Sequence, residues 1–89
     1  MRKYKFRLRS PLEVGDVVLV RLAGDDSPLE TRRVEDIYTV HSARTGQAWF
    51  RYVMTSGEVV SLESIECRNV NGKLVRVGTE ECQVMEVPS

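Results

Sequence analysis

Apolar and polar residues alternate with a period of two along much of this chain, a pattern typical of β-strands. The alternation is strict over residues 3–9, where large apolar groups hold the even positions and cations the odd ones. Residues 17–22 have apolar side chains at both odd and even positions, which would make both faces of a strand apolar. We therefore expect the N-terminal strand, the C-terminal hairpin or a partner subunit to cover the second face of this strand. Over residues 32–42 the phase slips, which predicts a β-bulge near Glu35 and Asp36.

The stretch 49–65 predicts a hairpin followed by a helical turn. Two runs rich in aromatic and β-branched residues flank Gly57, which supplies the permissive dihedrals of a tight reversal. Leu62 and Ile65 stand three residues apart, which suits one turn of helix near residues 63–65.

The C-terminal part of the chain predicts a second hairpin. Asn71-Gly72 separates two strand-like runs, and both residues tolerate the positive φ of a two-residue turn. A last strand is expected over residues 82–87, folded back on residues 73–77. The sequence therefore predicts an added hairpin extension over residues 71–87.

Short strands separated by frequent turns, with almost no helix, predict a small barrel or sandwich. Residues 14–20 contain a Gly-Asp pair that opens a strand, and the hairpin of residues 49–65 runs into a helical turn. Together with residues 33–37, these stretches resemble SH3-like barrels of the Tudor kind over about residues 12–70. The resemblance implies a mainly β fold, a small SH3-like barrel of five to seven antiparallel strands. The single domain of residues 1–89 would then comprise a basic N-terminal strand (1–10), the barrel core (12–70) and the C-terminal hairpin extension (71–87).

One property of Tudor domains is not expected here. Members that bind methylated lysine or arginine enclose the cation in an aromatic cage, because the face of a ring attracts a weakly hydrated cation. In that family two of the rings usually lie in the first long loop and in the hairpin turn. The corresponding residues 25–30 and 55–57 contain no aromatic side chain.

The charge of the chain is zero in total but unevenly distributed. Residues 1–9 carry five cations and no acid, and the remaining eighty residues carry eight basic and thirteen acidic side chains. A zero net charge argues against strong non-specific binding of nucleic acid. The longest apolar run, residues 17–20, is far shorter than a membrane span, so a cytoplasmic location is expected.

Candidate catalytic chemistry is sparse. His41 is the only histidine, and no serine or cysteine stands at a recognisable nucleophile spacing. Cys67 and Cys82 lack the spacing of a zinc site, and the predicted strand register places them on opposite faces, so they should not form a disulfide. The sequence predicts neither an enzyme nor a cofactor.

The basic N-terminal strand is the main candidate for function. Its cations repeat every 6.6–6.8 Å or so along one face, close to the phosphate spacing of a single nucleic-acid strand. The alternative interpretation is that these cations protect an edge strand from aggregation. Further arginines and Trp49 could widen the patch, and Phe50 is expected on the face opposite to Trp49. The candidate binding residues are Lys3, Lys5, Arg7, Arg9, Arg32, Arg33, Arg44, Trp49 and Arg51.

The sequence favours a non-enzymatic module that binds a protein partner, as a phage or bacterial accessory factor would. The first alternative is a nucleic-acid-binding module that uses the basic strand. The second is a homo-oligomer whose subunits pair through the face of Val17 and Leu19.

Overall fold

The computed structural model describes residues 3–87, and at positions 3, 4, 6 and 82–86 it describes the backbone alone. The described chain is mainly β, with a single 3-10 turn (Leu62–Ser64), and none of its helical segments is long enough to cross a bilayer. In chain order the strands are β1 (Lys3–Arg9), β2 (Val17–Arg21), β3 (Leu29–His41), β4 (Ala48–Met54), β5 (Val59–Val60), β6 (Ile65–Val70), β7 (Lys73–Arg76) and β8 (Glu81–Val87).

Six of these strands form one antiparallel sheet in the order β5-β4-β3-β2-β6-β7, and the sheet is not closed. The other two, β1 and β8, pair with each other in a two-stranded antiparallel ribbon. The prediction of a mainly β fold is confirmed. In place of one barrel of five to seven strands, the structure has an open sheet of six strands and a ribbon of two.

The six-stranded sheet must curl strongly, because a short connection joins strands that are distant in the sheet order. β5 ends at Val60 and β6 begins at Ile65, although three other strands lie between them. In a flat sheet these two strands would be about 19 Å apart. The connecting residues 61–64 contain the 3-10 turn, and even fully extended they would reach only about 17 Å.

The curled sheet buries one of its two faces. Alternate residues of β4 enter the core, where Phe50, Tyr52 and Met54 are buried. Trp49 lies on the other face and is half-buried, which confirms the predicted separation of Trp49 and Phe50. The fully or nearly buried core residues are Leu12, Val18, Val20, Val34, Phe50, Tyr52, Met54 and Ile65.

Two local features occur as predicted. The register of β3 against β4 shifts between Val34 and Asp36, which is the expected bulge. Asn71 and Gly72 have φ of 53° and 85°, so the β6–β7 connection is a type I′ turn.

The prediction for the last strand was wrong. β8 does not fold back on residues 73–77 but pairs with β1, Cys82 standing opposite Leu8. The expected hairpin over residues 71–87 is therefore not formed, and β7 pairs only with β6 among the described strands. Cys67 has a free thiol, and the thiol of Cys82 lies outside the described part of the structure.

The β1–β8 ribbon also does not cover the second face of β2. Its main contact with the sheet is that of β8 against β4. The molecule measures 48 × 26 × 20 Å, and its radius of gyration of 14.8 Å exceeds the roughly 12 Å expected for a compact chain of this length. The ribbon thus extends the molecule beyond the sheet instead of adding a second layer.

Candidate binding surfaces

A hydrogen-bond network holds together the two segments that connect the ribbon to the sheet. The buried phenol of Tyr52 donates to Glu80 Oε1 at 3.4 Å and lies 2.9 Å from Ser10 Oγ. The backbone N–H of Leu12 donates to Ser10 Oγ at 3.1 Å. The other carboxylate oxygen of Glu80 accepts the backbone N–H of Phe50 at 3.2 Å. Tyr52 thereby fixes both strands of the ribbon to β4 at the end of the ribbon where Arg9 stands opposite Glu81.

The ribbon presents the candidate cations of the N-terminal strand to solvent. Lys5, Arg7 and Arg9 are exposed, and Arg9 stands opposite Glu81 in the strand register. The side chain of Lys3 lies outside the described part of the structure, as do those of Tyr4 and Phe6. The nucleic-acid interpretation and the edge-protection interpretation both agree with these exposures.

The larger surface is the side of the six-stranded sheet that faces away from the core, which we call the outer face. Residues opposite each other in an antiparallel register share a face, so the register defines its members. Three apolar side chains on it are strongly exposed: Tyr38 at 55%, Val59 at 54% and Leu74 at 60%. The outer face comprises Val17, Leu19, Arg21, Leu29, Thr31, Arg33, Asp36, Tyr38, Val40, Trp49, Arg51, Val53, Val59, Cys67, Asn69, Leu74 and Arg76.

The outer face is cationic although the rest of the chain beyond residue 9 is acidic. It carries four arginines and one aspartate, and the bulge adds Glu35 at its margin. Arg21 is engaged by Glu66 at 3.3 Å, whereas Arg33, Arg51 and Arg76 are exposed to solvent. The arrangement combines exposed apolar groups with planar cations that suit carboxylates.

Tyr38 is an outer-face residue that the sequence did not single out. It stands directly opposite Arg51 in the register of β3 and β4. A side-chain hydrogen bond to Asp36 raises the pKa of Tyr38, and the negative charges of Asp36 and Glu35 raise it further. The phenol is therefore neutral at physiological pH and orients its hydroxyl toward Asp36.

A groove borders the outer face beside Trp49 and Arg51. It lies between β4, the 3-10 turn and residues 77–80, and has a volume of about 540 Å³. Leu62, Ile65 and Val77 supply its apolar lining. Such a groove is large enough to receive a protruding side chain of a partner.

The structure divides the predicted arginine patch. Arg33 and Arg51 lie on the outer face, but Arg32 points to the core side of the sheet, where its guanidinium lies 3.4 Å from Glu30 and 4.0 Å from Glu58. Arg44 is exposed in the loop between β3 and β4. Arg32 and Arg33 thus lie on different faces, because adjacent residues of a strand point to opposite faces.

Among the side chains that the structure describes, no group of three or more metal-ligating residues comes together. His41 is half-buried at the C-terminal end of β3, and its side chain lies on the core side of the sheet.

Comparison with protein-family models, with curated protein sequences and with solved structures gives no match.

Proposed function

We propose that this chain is a non-enzymatic, cytoplasmic module that binds a protein partner through the outer face of an SH3-like β-sheet. The order of elements supports the SH3-like interpretation: a long loop follows the first strand of the sheet, and a bulged strand and a hairpin lead into a 3-10 turn. The first and last strands of that unit, β2 and β6, are paired.

The observation that carries the proposal is the composition of the outer face. Protein interfaces are enriched in aromatic residues and arginine, and contiguous exposed apolar groups mark interaction sites. The outer face carries both kinds of residue, and they are adjacent where Tyr38 stands opposite Arg51 with Trp49 two residues away on β4. The groove beside Trp49 offers a place for one apolar anchor of the partner.

The charge of this surface favours an acidic partner. Exposed Arg33, Arg51 and Arg76 would meet carboxylates, which arginine can bind in a bidentate manner. A symmetric dimer through the face of Val17 and Leu19 would bring the same arginines toward each other and is disfavoured by their repulsion.

A second candidate function is nucleic-acid binding through the ribbon, favoured by the exposure of Lys5, Arg7 and Arg9. The outer face combines exposed apolar groups with exposed arginines, so we place protein binding first. The two functions depend on different residues and can be tested separately.

The test is capture from an extract of the source cell by the immobilised protein, with and without nuclease treatment. We expect Arg33→Glu/Arg51→Glu to abolish capture of a nuclease-resistant protein, whereas the matched charge reversal Lys5→Glu/Arg7→Glu leaves it intact. Equal capture by the wild type and by Arg33→Glu/Arg51→Glu would contradict protein binding through the outer face. If capture were lost only in Lys5→Glu/Arg7→Glu and in samples treated with nuclease, nucleic-acid binding through the ribbon would be supported instead.

A further inference from the structure

The β7 strand ends the six-stranded sheet and presents an open backbone edge. In the two-residue turn at Asn71 and Gly72, the flanking residues Val70 and Lys73 form the hydrogen-bonded pair of the hairpin. Hydrogen-bonding direction alternates along a strand, so Lys73 and Val75 direct their backbone groups to β6.

The same alternation turns the N–H and C=O groups of Leu74 and Arg76 away from the sheet. The bond from Val77 N–H to the carbonyl of Glu66, at 3.3 Å, continues the alternation on the β6 side. Two successive outward-facing residues are what an added antiparallel strand requires.

The side chains of this edge are unusually apolar for an exposed strand. All four residues are exposed, Leu74 at 60% and Val75 at 44%. The four-residue edge carries cations only at its two ends, Lys73 and Arg76. An open edge can pair with another strand, but the cations of this short edge disfavour an apolar or cationic strand and favour an acidic one.

The positions of these cations decide what the added strand can be. Residues that stand opposite each other in an antiparallel pair share a face, so two copies could pair about a two-fold axis through Val75, with Leu74 of one copy opposite Arg76 of the other. The two Arg76 side chains would then be diagonal neighbours on one face, within reach of each other, and their like charges disfavour this pair. An extended segment with acids at its ends and two apolar residues between them would match every position.

We propose that the β7 edge binds an extended strand of an acidic partner, with an acidic–apolar–apolar–acidic sequence opposite Lys73–Arg76. This inference rests on the proposed function, because the strand would belong to the same acidic protein that the outer face binds. Leu74 and Arg76 belong both to the outer face and to the β7 edge.

The probe for the edge is a short capped peptide whose central residues are Glu-Val-Val-Glu, with a Lys-Val-Val-Lys peptide of the same length as its control. Amide NMR spectra should show the Glu-Val-Val-Glu peptide shifting Leu74 and Arg76 and slowing exchange of their N–H groups. Lys73→Glu/Arg76→Glu should lose about tenfold or more in affinity for the acidic peptide and bind the basic one instead.

The backbone contribution is tested by a pair of substitutions at one position. Leu74→Pro removes an N–H that points away from β6, so the hairpin keeps its own bonds, and proline is tolerated on edge strands. We expect Leu74→Pro to weaken peptide binding about tenfold and the matched Leu74→Ala only about threefold or less. A well-dispersed amide spectrum establishes that each variant is folded.

Two outcomes would overturn the inference. One is absence of binding by the wild type at about 1 mM peptide. The other is equal binding by folded Leu74→Pro and Leu74→Ala. Either would leave the proposed function standing if extract capture still depends on Arg33 and Arg51. Loss of that dependence would refute the proposed function, whatever the peptide does.

Discussion

Replacing Tyr52 with phenylalanine removes the hydroxyl that joins the ribbon to the sheet. The phenol lies 2.9 Å from Ser10 Oγ and 3.4 Å from Glu80 Oε1, so one good and one long hydrogen bond are lost. Ser10 keeps the N–H of Leu12, and Glu80 keeps the N–H of Phe50. Because no partner is left wholly without a bond, we expect a loss of about 1.5 kcal/mol in the free energy of unfolding. That corresponds to a fall of roughly 6–12 °C in Tm for a domain of this size.

The assay is urea unfolding of the two proteins, with Tyr38→Phe as the matched control. Tyr38 is 55% exposed, so loss of its hydroxyl should change stability by less than about 0.5 kcal/mol. Amide exchange should also accelerate in β1 and β8 of Tyr52→Phe more than in β2 and β3, since the network holds the ribbon. Equal stabilities of Tyr52→Phe and Tyr38→Phe, with unchanged exchange in the ribbon, would refute this account of the network.

Three further experiments test the fold and its electrostatics. Met54→Ala should lower the free energy of unfolding in urea by about 2–5 kcal/mol, because Met54 is fully buried. Val59→Ala on the outer face should lower it by less than about 0.5 kcal/mol. Similar losses in the two variants would contradict the assignment of faces. Gly57→Ala should lower Tm and cost about 1–2 kcal/mol, because Gly57 has φ of 99°, and an unchanged Tm would contradict that conformation. The Ser56 hydroxyl donates to the Glu58 carboxylate, and this hydrogen bond lowers the pKa of Glu58 in the folded protein. The ionised carboxylate therefore stabilises the fold at pH values above the pKa that Glu58 has in the unfolded chain, and this stabilisation is lost as the pH falls through the lowered pKa of the folded state. Carbon-13 NMR titration should therefore show a higher pKa for Glu58 in Ser56→Ala, and an unchanged pKa would exclude the hydrogen bond as the cause.

Short sequence patterns correctly predicted the turn between β6 and β7 and the bulge in β3, because both features depend only on residues that are close in sequence. Asn71-Gly72 adopts the positive φ angles of a type I′ turn because asparagine and glycine both tolerate positive φ. The phase slip around Glu35 predicted the bulge, since an extra residue in one strand shifts every later side chain to the other face.

The partner of the last strand could not be predicted in the same way. Residues 81–87 pair with residues 3–9, which lie at the other end of the chain, and neither sequence pattern specifies that choice. The nearer strand β7 was the expected partner, but residues 77–80 run along β4, where Glu80 binds the N–H of Phe50.

The candidate site was predicted in part. Arg33, Trp49 and Arg51 were expected from the sequence to widen the basic patch of the N-terminal strand, and the register places all three on the outer face. Tyr38 was missed as a surface residue because an aromatic residue in a small β-domain is most often in the core. The bulge could have indicated its exposure, since it reverses the facing of the residues that follow.

The most direct test of the central claim is NMR mapping of the protein captured from the source cell onto the labelled chain. We expect the largest amide shifts at Tyr38, Arg51 and Leu74, with little change in β1. Shifts confined to Lys5 and Arg7, or shifts absent from the outer face, would contradict the account.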